Sequence, residues 1–216
     1  MTWNLSSSLN ARDDVADEYD RLPEYDPNAE AAWHKLAEES KQHADMIRKN
    51  LDVQVVDDPE PYANADDMIK DIKHNRRFLV SQANSEHPVW SPEDNVNFRI
   101  VHDVLGHAAT GGRFTWKGEN DACATHHSFS SPLARQALTT ECLGQVGWAS
   151  KNGGFGVQKV AVMPGLHQTI SNDNEQTPAI RAEHALEHVL SPGKYVDTPN
   201  IDKRPTANPN RDVVRL

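Results

Sequence analysis

The chain contains 216 residues, of which 37% are hydrophobic and 25% are charged, and its formal net charge is -10. This length supports one sizeable core, and this balance of apolar and charged residues is that of a globular protein rather than a disordered one. An acidic chain without a basic cluster does not suit nucleic acid or an anionic membrane surface, so we expect neither as a partner.

The first fifty residues predict an irregular segment followed by a helix. Residues 1–26 carry mostly acidic charges, and proline punctuates the end of the segment, so we expect an irregular acidic N-terminal part. From Pro27 to Asn50 apolar residues recur every three or four positions, which is the period of an amphipathic helix. Asp26 is the expected N-cap, because proline favours the first helical position after it.

A small strand–helix–strand unit is predicted next. Residues 51–56 and 78–81 are rich in β-branched and apolar side chains, which favours two short strands that pair with each other. Residues 64–74 between them carry apolar side chains on one helical face. The sequence therefore predicts a two-stranded β element near residues 51–81.

Helices dominate the second half of the chain. Ser91 is followed by proline and two acidic residues, a favourable helix start, and the helix is expected to reach about His107. A loop or broken helix is predicted through Ser130, then a long helix over 133–151 that a glycine pair closes. A last helix is expected over 178–190.

These elements predict a mainly α (α+β) fold. We expect one helical domain over residues 27–190, with the irregular acidic segment 1–26 before it. Residues 191–216 contain repeated prolines and predict an extended C-terminal tail.

The segment from Phe98 to His107 predicts a buried helix with polar residues that need partners. Its apolar side chains cover nearly the whole circumference, which is typical of a buried helix. His102, Asp103 and His107 lie within it, and burying each of them unpaired costs on the order of several kcal/mol. Hydrogen bonds or a metal ion must therefore satisfy them.

The spacing of the two histidines limits how they can share an ion. His102 and His107 are five residues apart, roughly 140° around an ideal helix, so both reach one ion most easily where the helix end unwinds. Gly106 and the small residues after it favour such an end here. We predict both histidines as metal ligands; two buried histidines with ordinary hydrogen bonds are the alternative.

Glu141 is predicted as the third metal ligand. It falls on an apolar stripe of the helix over 133–151, where a carboxylate must stay protonated or be held by a cation. A metal ion bound to the two histidines supplies that cation, whereas a salt bridge to Arg99 or Arg135 is the alternative. We expect the helices of the domain to surround this buried metal site.

Two histidines and one carboxylate form the ligand set of non-haem Fe(II) oxygenases, and the same set also serves catalytic Zn2+. The segment His102-Asp-Val-Leu-Gly-His107, followed by Glu141, resembles the iron site of the pterin-dependent aromatic amino acid hydroxylases. That family carries His-Glu-x-x-Gly-His and a glutamate on a later helix. The resemblance implies His102, His107 and Glu141 as iron ligands and a pterin co-substrate. Asp103 stands where the family has glutamate, and the pterin-binding segments of the family are not found in this chain.

Further polar residues lie between the two motif segments. We predict His126 as an additional metal ligand, and Asp103 and Glu119 as acid–base groups of a catalytic site. Exposed positions in an ordinary loop are the alternative for Glu119 and His126.

A second motif competes with this site. His184-Ala-Leu-Glu187-His188 matches the H-x-x-E-H pattern of the inverted zinc peptidases, with both histidines on one helical face. Glu183 and Glu187 give that helix a charged face. An exposed amphipathic helix is therefore the alternative.

Three functions remain open from the sequence. The first is a mononuclear non-haem Fe(II) oxygenase or hydroxylase that acts on a small-molecule substrate. The second is a Zn2+-dependent hydrolase or peptidase with the same ligands. The third is a non-enzymatic protein in which a fourth protein ligand closes a structural metal site.

The cysteines and the N-terminus predict a cytoplasmic protein. Cys123 and Cys142 lie outside any C-x-x-C motif, and isolated thiols fit a reducing compartment better than a disulfide scaffold. The first nine residues lack the charged and apolar regions of a signal peptide. No apolar run approaches the roughly 18 residues that a membrane helix needs.

Overall fold

The computed structural model describes residues 9–170 and 178–191, and most of these residues are helical. The predicted mainly α (α+β) class is confirmed, as one domain with a small sheet. The elements in chain order are α1 (Leu9–Arg21), α2 (Glu30–Arg48), β1 (Asp52–Val56), α3 (Ala65–Lys70), the π-helical turn π1 (Asp71–Asn75), β2 (Arg77–Ser81), α4 (Pro92–Val101), π2 (His102–His107), α5 (Ala108–Thr110), α6 (Trp116–Ser128), α7 (Ala134–Thr139), π3 (Thr140–Gln145), α8 (Val146–Asn152), a 3₁₀ turn (Leu166–Gln168) and α9 (Pro178–Leu190).

The prediction of an irregular segment over residues 1–26 was wrong for α1, which is a regular helix. Val15 and Tyr19 lie four residues apart and are buried, with Ala16 beside them. This apolar stripe packs α1 against α8 and π3. The acidic residues that suggested an irregular segment occupy the other face of the helix, and the packing of the apolar face outweighs them. Residues 1–8, and residues 192–216 of the predicted tail, lie outside the described residues.

The predicted strand–helix–strand unit is confirmed. Strands β1 and β2 pair in parallel, with Asp52 opposite Arg77 and Val53 opposite Phe78. The connection runs through α3, whose N-cap Asn64 accepts a hydrogen bond from the Asp67 backbone N–H. A parallel pair needs such a crossover, which explains why two short strands enclose a helix.

Elements α4, π2 and α5 form one continuous helix, as predicted from Ser91. The Ser91 side chain accepts a hydrogen bond from the Asp94 backbone N–H, and Asp94 accepts one from the Ser91 backbone N–H. This capping box fixes the start of the helix. The helix ends at Thr110, three residues beyond His107, and Gly111 follows it in the left-handed conformation.

This continuous helix runs between the two main apolar clusters of the domain. Ile100 and Val104 belong to the cluster that includes β2 and α9. Phe98 belongs to the other cluster, together with Trp33 and Leu143. Because both clusters share this helix, its polar residues lie at the centre of the domain.

A helix, α6, occupies the stretch for which a loop or broken helix was predicted. The side chain of its N-cap Thr115 accepts a hydrogen bond from the Gly118 backbone N–H. Helix α6 packs directly against π2. It therefore brings residues from the middle of the chain to His102 and His107.

Elements α7, π3 and α8 form the predicted long helix, which Gly153 ends in the left-handed conformation. Helix α9 confirms the last predicted helix. Within the described ranges, no helix combines the length and apolar character required to cross a bilayer.

Candidate metal centre

The structure brings His102, His107 and Glu119 together. The Nε2 atom of His102 lies 3.2 Å from one carboxylate oxygen of Glu119, and the Nε2 atom of His107 lies 3.3 Å from the other. Each of the three side chains is only 1% exposed. Both predicted histidine ligands thus share one buried carboxylate, and Glu119 supplies it.

The π-helical turn explains how histidines five residues apart face one group. In a π-helix the hydrogen bonds join residues i and i+5, so the turn is wider than in an α-helix. Residues 102 and 107 mark the two ends of π2. The sequence predicted an unwound helix end; the structure instead has a widened turn inside a continuous helix.

Gly106 lets α6 approach this turn closely. A Cβ atom at Gly106 would lie 3.0 Å from the Cβ of Ala122 and 3.1 Å from its carbonyl oxygen. Glycine therefore permits the short distance between π2 and α6. Glu119 lies one helical turn before Ala122, so the same approach brings its carboxylate to the histidines.

The hydrogen bonds of the two histidines direct their Nε2 atoms toward Glu119. The Nδ1 atom of His107 lies 3.1 Å from the carbonyl oxygen of Gly112, which can only accept a hydrogen bond. Nδ1 therefore carries a proton, and Nε2 of the neutral ring presents a lone pair. The Nδ1 atom of His102 lies 3.4 Å from the sulfur of Cys142. These second contacts fix ring orientation in the way that metal-binding histidines require.

A lone pair and a carboxylate oxygen repel each other unless a proton or a cation lies between them. Burial opposes a charge on His107, yet the Glu119 carboxylate raises the pKa of His107 above its usual value. Burial also disfavours the Glu119 charge, but the two histidines lower the pKa of Glu119 to about 2. The Glu119 carboxylate thus favours a positive charge, a proton or a cation, beside the Nε2 atom of His107.

The spacing of these atoms suits a metal ion. Bonds of about 2.0–2.2 Å to nitrogen and oxygen, at angles from octahedral to tetrahedral, separate neighbouring ligand atoms by roughly 3.0–3.5 Å. The two nitrogen–oxygen distances of 3.2 and 3.3 Å fall in this range. His102, His107 and Glu119 are therefore candidate ligands of a divalent ion.

Asp103 lies at the edge of this centre, where a small pocket of about 40 Å³ reaches His107. Burial raises the pKa of Asp103, against the lowering effect of the nearby histidines. Arg99 and Tyr62 also line the pocket. A partly buried carboxyl group with a raised pKa, beside an open pocket, suits the acid–base role predicted for Asp103.

The structure does not bring Glu141 to the two histidines. Its carboxylate accepts a hydrogen bond of 2.7 Å from Gln158, and burial raises the pKa of Glu141 to about 7. The π-helical turn π3 contains both Glu141 and Cys142, and Cys142 is the residue that contacts His102. The regular spacing used to assign Glu141 does not hold through this turn. No salt bridge to Arg99 or Arg135 is present among the described residues either.

His126 lies on the other side of His102, away from the Glu119 group. A nitrogen of His126, a nitrogen of His102 and the sulfur of Cys142 all lie within 4.8 Å of one another. His126 is 1% exposed, and its ring stacks on Phe98 and Phe129. The predicted ligand His126 therefore belongs to a second group of side chains, which shares His102 with the first.

The competing motif in α9 lies on the surface. His184, Glu187 and His188 are exposed, whereas Ala182 and Leu186 of the same helix are buried. None of the three belongs to a group of ligand atoms in the part of the chain that the structure describes. The structure thus agrees with the alternative of an exposed amphipathic helix.

Cys142 is the residue of this region that the sequence analysis missed. Its contact with His102 depends on π3, which no sequence pattern indicated. For Glu119 a sequence signal did exist. A helical interpretation of residues 116–128 places Glu119, Cys123 and His126 on one face, because they follow each other at four and three residues.

Comparison of the chain with protein-family models, with curated proteins and with solved structures gave no significant match. The resemblance to the aromatic amino acid hydroxylases therefore rests on the segment from His102 to His107. The carboxylate that joins the two histidines, Glu119, comes earlier in the chain than the residue aligned with that family's glutamate.

Proposed function

We propose that the protein is a metal-dependent enzyme whose centre holds a divalent ion on His102, His107 and Glu119. One observation carries the proposal: the Nε2 atoms of two buried histidines face the two oxygens of one buried carboxylate at 3.2 and 3.3 Å. The ring contacts to Gly112 and Cys142 hold both rings in this orientation.

Fe(II) is the first choice of ion. Two imidazoles and one carboxylate leave coordination positions on Fe(II) for O2 and a substrate, which is the arrangement of non-haem oxygenases and hydroxylases. The resemblance of the His102–His107 segment to an iron site supports this choice over Zn2+. A pterin co-substrate has no support beyond that resemblance.

The residues around the centre supply the remaining functions of an enzyme. The pocket of about 40 Å³ beside Asp103 and His107 has room for a molecule of the size of water or O2. Asp103 can give a proton to a group in the pocket or take one from it. The nearly complete burial of the ligands excludes bulk water from the centre.

A Zn2+-dependent hydrolase is the second candidate, and Asp103 favours it. Bound Zn2+ lowers the pKa of a water ligand, and a neighbouring carboxylate can then act as base. The same pocket argues against a purely structural metal, because a structural site has its coordination sphere closed by protein ligands.

Metal analysis of two glutamine variants tests the proposal. Protein purified without oxygen should contain about one iron per chain, as expected for a mononuclear site. Glu119→Gln removes the charge that holds the ion and should lose the iron, whereas Glu141→Gln changes an equally buried glutamate and should keep it. Iron retained in Glu119→Gln and lost in Glu141→Gln would overturn the assignment. Zinc in place of iron in the parent protein would favour the hydrolase.

A further inference from the structure

A second set of ligand atoms lies on the opposite side of His102. The Nδ1 atom of His102 is 3.4 Å from the sulfur of Cys142, and His126 brings a ring nitrogen within 4.8 Å of both partners. His102 and His126 are each 1% exposed and Cys142 is fully buried. One imidazole thus stands between a carboxylate group on its Nε2 side and a thiol group on its Nδ1 side.

His126 has a buried polar atom that no described residue satisfies. Its Nδ1 atom has no hydrogen-bond partner among the residues that the structure describes. The ring is held between Phe98 and Phe129, with ring centres 5.6 and 5.0 Å away. A buried polar atom without a partner calls for a specific explanation, and a bound ion is one.

We propose that His126, Cys142 and the Nδ1 atom of His102 bind a second metal ion of the Zn2+ type, with His102 as the bridge between the two ions. Zn2+ favours nitrogen and sulfur ligands in tetrahedral geometry. Bonds of about 2.0–2.1 Å to nitrogen and about 2.3 Å to sulfur place these atoms roughly 3.5–3.6 Å apart at the tetrahedral angle. The distance between His102 and Cys142 is close to this value.

The ligands of such a pair of ions neutralise most of the positive charge. Binding of the second ion displaces one proton from the Cys142 thiol and one from the Nδ1 atom of His102, and both protons leave to solvent. Two divalent ions carry four positive charges. The Glu119 carboxylate, the Cys142 thiolate and the His102 imidazolate carry three negative charges, so they leave a net charge of one. This compensation matters because an uncompensated charge at this depth is unfavourable.

Cys123 provides a matched control. It is also fully buried, and it lies beside Cys142. It is absent from the group formed by His102, His126 and Cys142. If Cys142 binds the ion, its replacement abolishes binding and replacement of Cys123 does not. An effect that comes only from the loss of a buried thiol would appear in both variants.

Titration of the metal-free full-length chain with Co2+ tests the second site. A cobalt–thiolate bond gives a charge-transfer absorption in the near ultraviolet that histidine and carboxylate ligands do not give. The parent protein should bind two equivalents of Co2+ and show this band. Cys142→Ala and the volume-conserving Cys142→Ser should lose the band and one equivalent, while Cys123→Ala keeps both. His126→Ala should lower the affinity for the Co2+ ion that produces the band at least tenfold. Far-ultraviolet circular dichroism checks that each variant is folded.

The outcomes separate this inference from the proposed function, because the two sites share only His102. Glu119→Gln should lose the Co2+ ion of the first site, which gives no charge-transfer band, and keep the Co2+ ion of the second site, which gives the band. A parent protein that binds one equivalent without the band refutes the second site and leaves the first intact. A band that persists in Cys142→Ala also refutes it. A Glu119→Gln variant that still binds two equivalents contradicts the first site alone.

Discussion

Substitution of Gly106 by alanine tests whether close packing of α6 on π2 holds the metal centre together. The added Cβ would meet the Cβ of Ala122 at 3.0 Å and its carbonyl oxygen at 3.1 Å. The carbonyl oxygen and Cα of Ala122 belong to the helix backbone, so no side-chain rotation can relieve the contact. Carbon atoms in contact prefer about 3.5–4.0 Å, so α6 must give way by a few tenths of an ångström.

This movement should affect stability and metal binding together. Overpacking of a core costs about 1–3 kcal/mol, and the better helix propensity of alanine returns at most about 1 kcal/mol. A net loss of about 1–2 kcal/mol lowers Tm by roughly 3–6 °C in a domain of this size. Glu119 moves with α6, and the ligand distances of a metal site lie within about 0.2 Å of their standard values. We therefore expect at least a tenfold loss of metal affinity.

Two measurements check this prediction. Thermal unfolding of the metal-free protein gives the change in stability, and competition with a chromogenic chelator gives the metal affinity. Gly154→Ala is the matched control, because a Cβ at Gly154 meets nothing within 4 Å. Gly106→Ala with unchanged Tm and unchanged affinity would refute the close packing of α6 on π2.

Three other changes have defined outcomes. Fe(II) at about 100 times its Kd should stabilise the parent protein by about 2.7 kcal/mol, and an equal Tm rise in Glu119→Gln would contradict the site. Burial lowers the pKa of His87 to about 4, so the folded state binds fewer protons and stability is lost as pH falls from about 6.5 toward 4. The loss is at most about 3 kcal/mol in denaturant titrations. His87→Asn should remove this pH dependence, because asparagine does not titrate, and its side-chain oxygen can still accept the two backbone N–H bonds. Ser91→Ala removes the capping box with Asp94 and should cost about 1–2 kcal/mol by the same titration; no change would contradict the cap.

The elements that the sequence predicted well carry strong local information. The start of α4 follows from Ser91-Pro92 and the acidic residues after it, and the capping box confirms the reason. The small β unit follows from its β-branched residues. By contrast, α1 was missed because a few buried residues, among them Val15 and Tyr19, decide its structure against many charges.

The site was predictable up to the point at which two π-helical turns intervene. His102 and His107 stand out because they are polar residues in an apolar segment. Their convergence, and the position of Cys142 rather than Glu141 against His102, depend on turns whose extra residue disrupts regular helical spacing. Glu119 was singled out as an acid–base group, but its contact with both histidines depends on the tertiary packing of α6.

The position of a bound metal ion tests the central claim most directly. Crystals of the protein prepared with Fe(II) without oxygen can be measured at the iron absorption edge, where anomalous scattering locates the ion. We expect a peak about 2.0–2.2 Å from the Nε2 atoms of His102 and His107 and from a carboxylate oxygen of Glu119. A peak at His184 and His188, or at Glu141 without Glu119, would contradict the proposed centre.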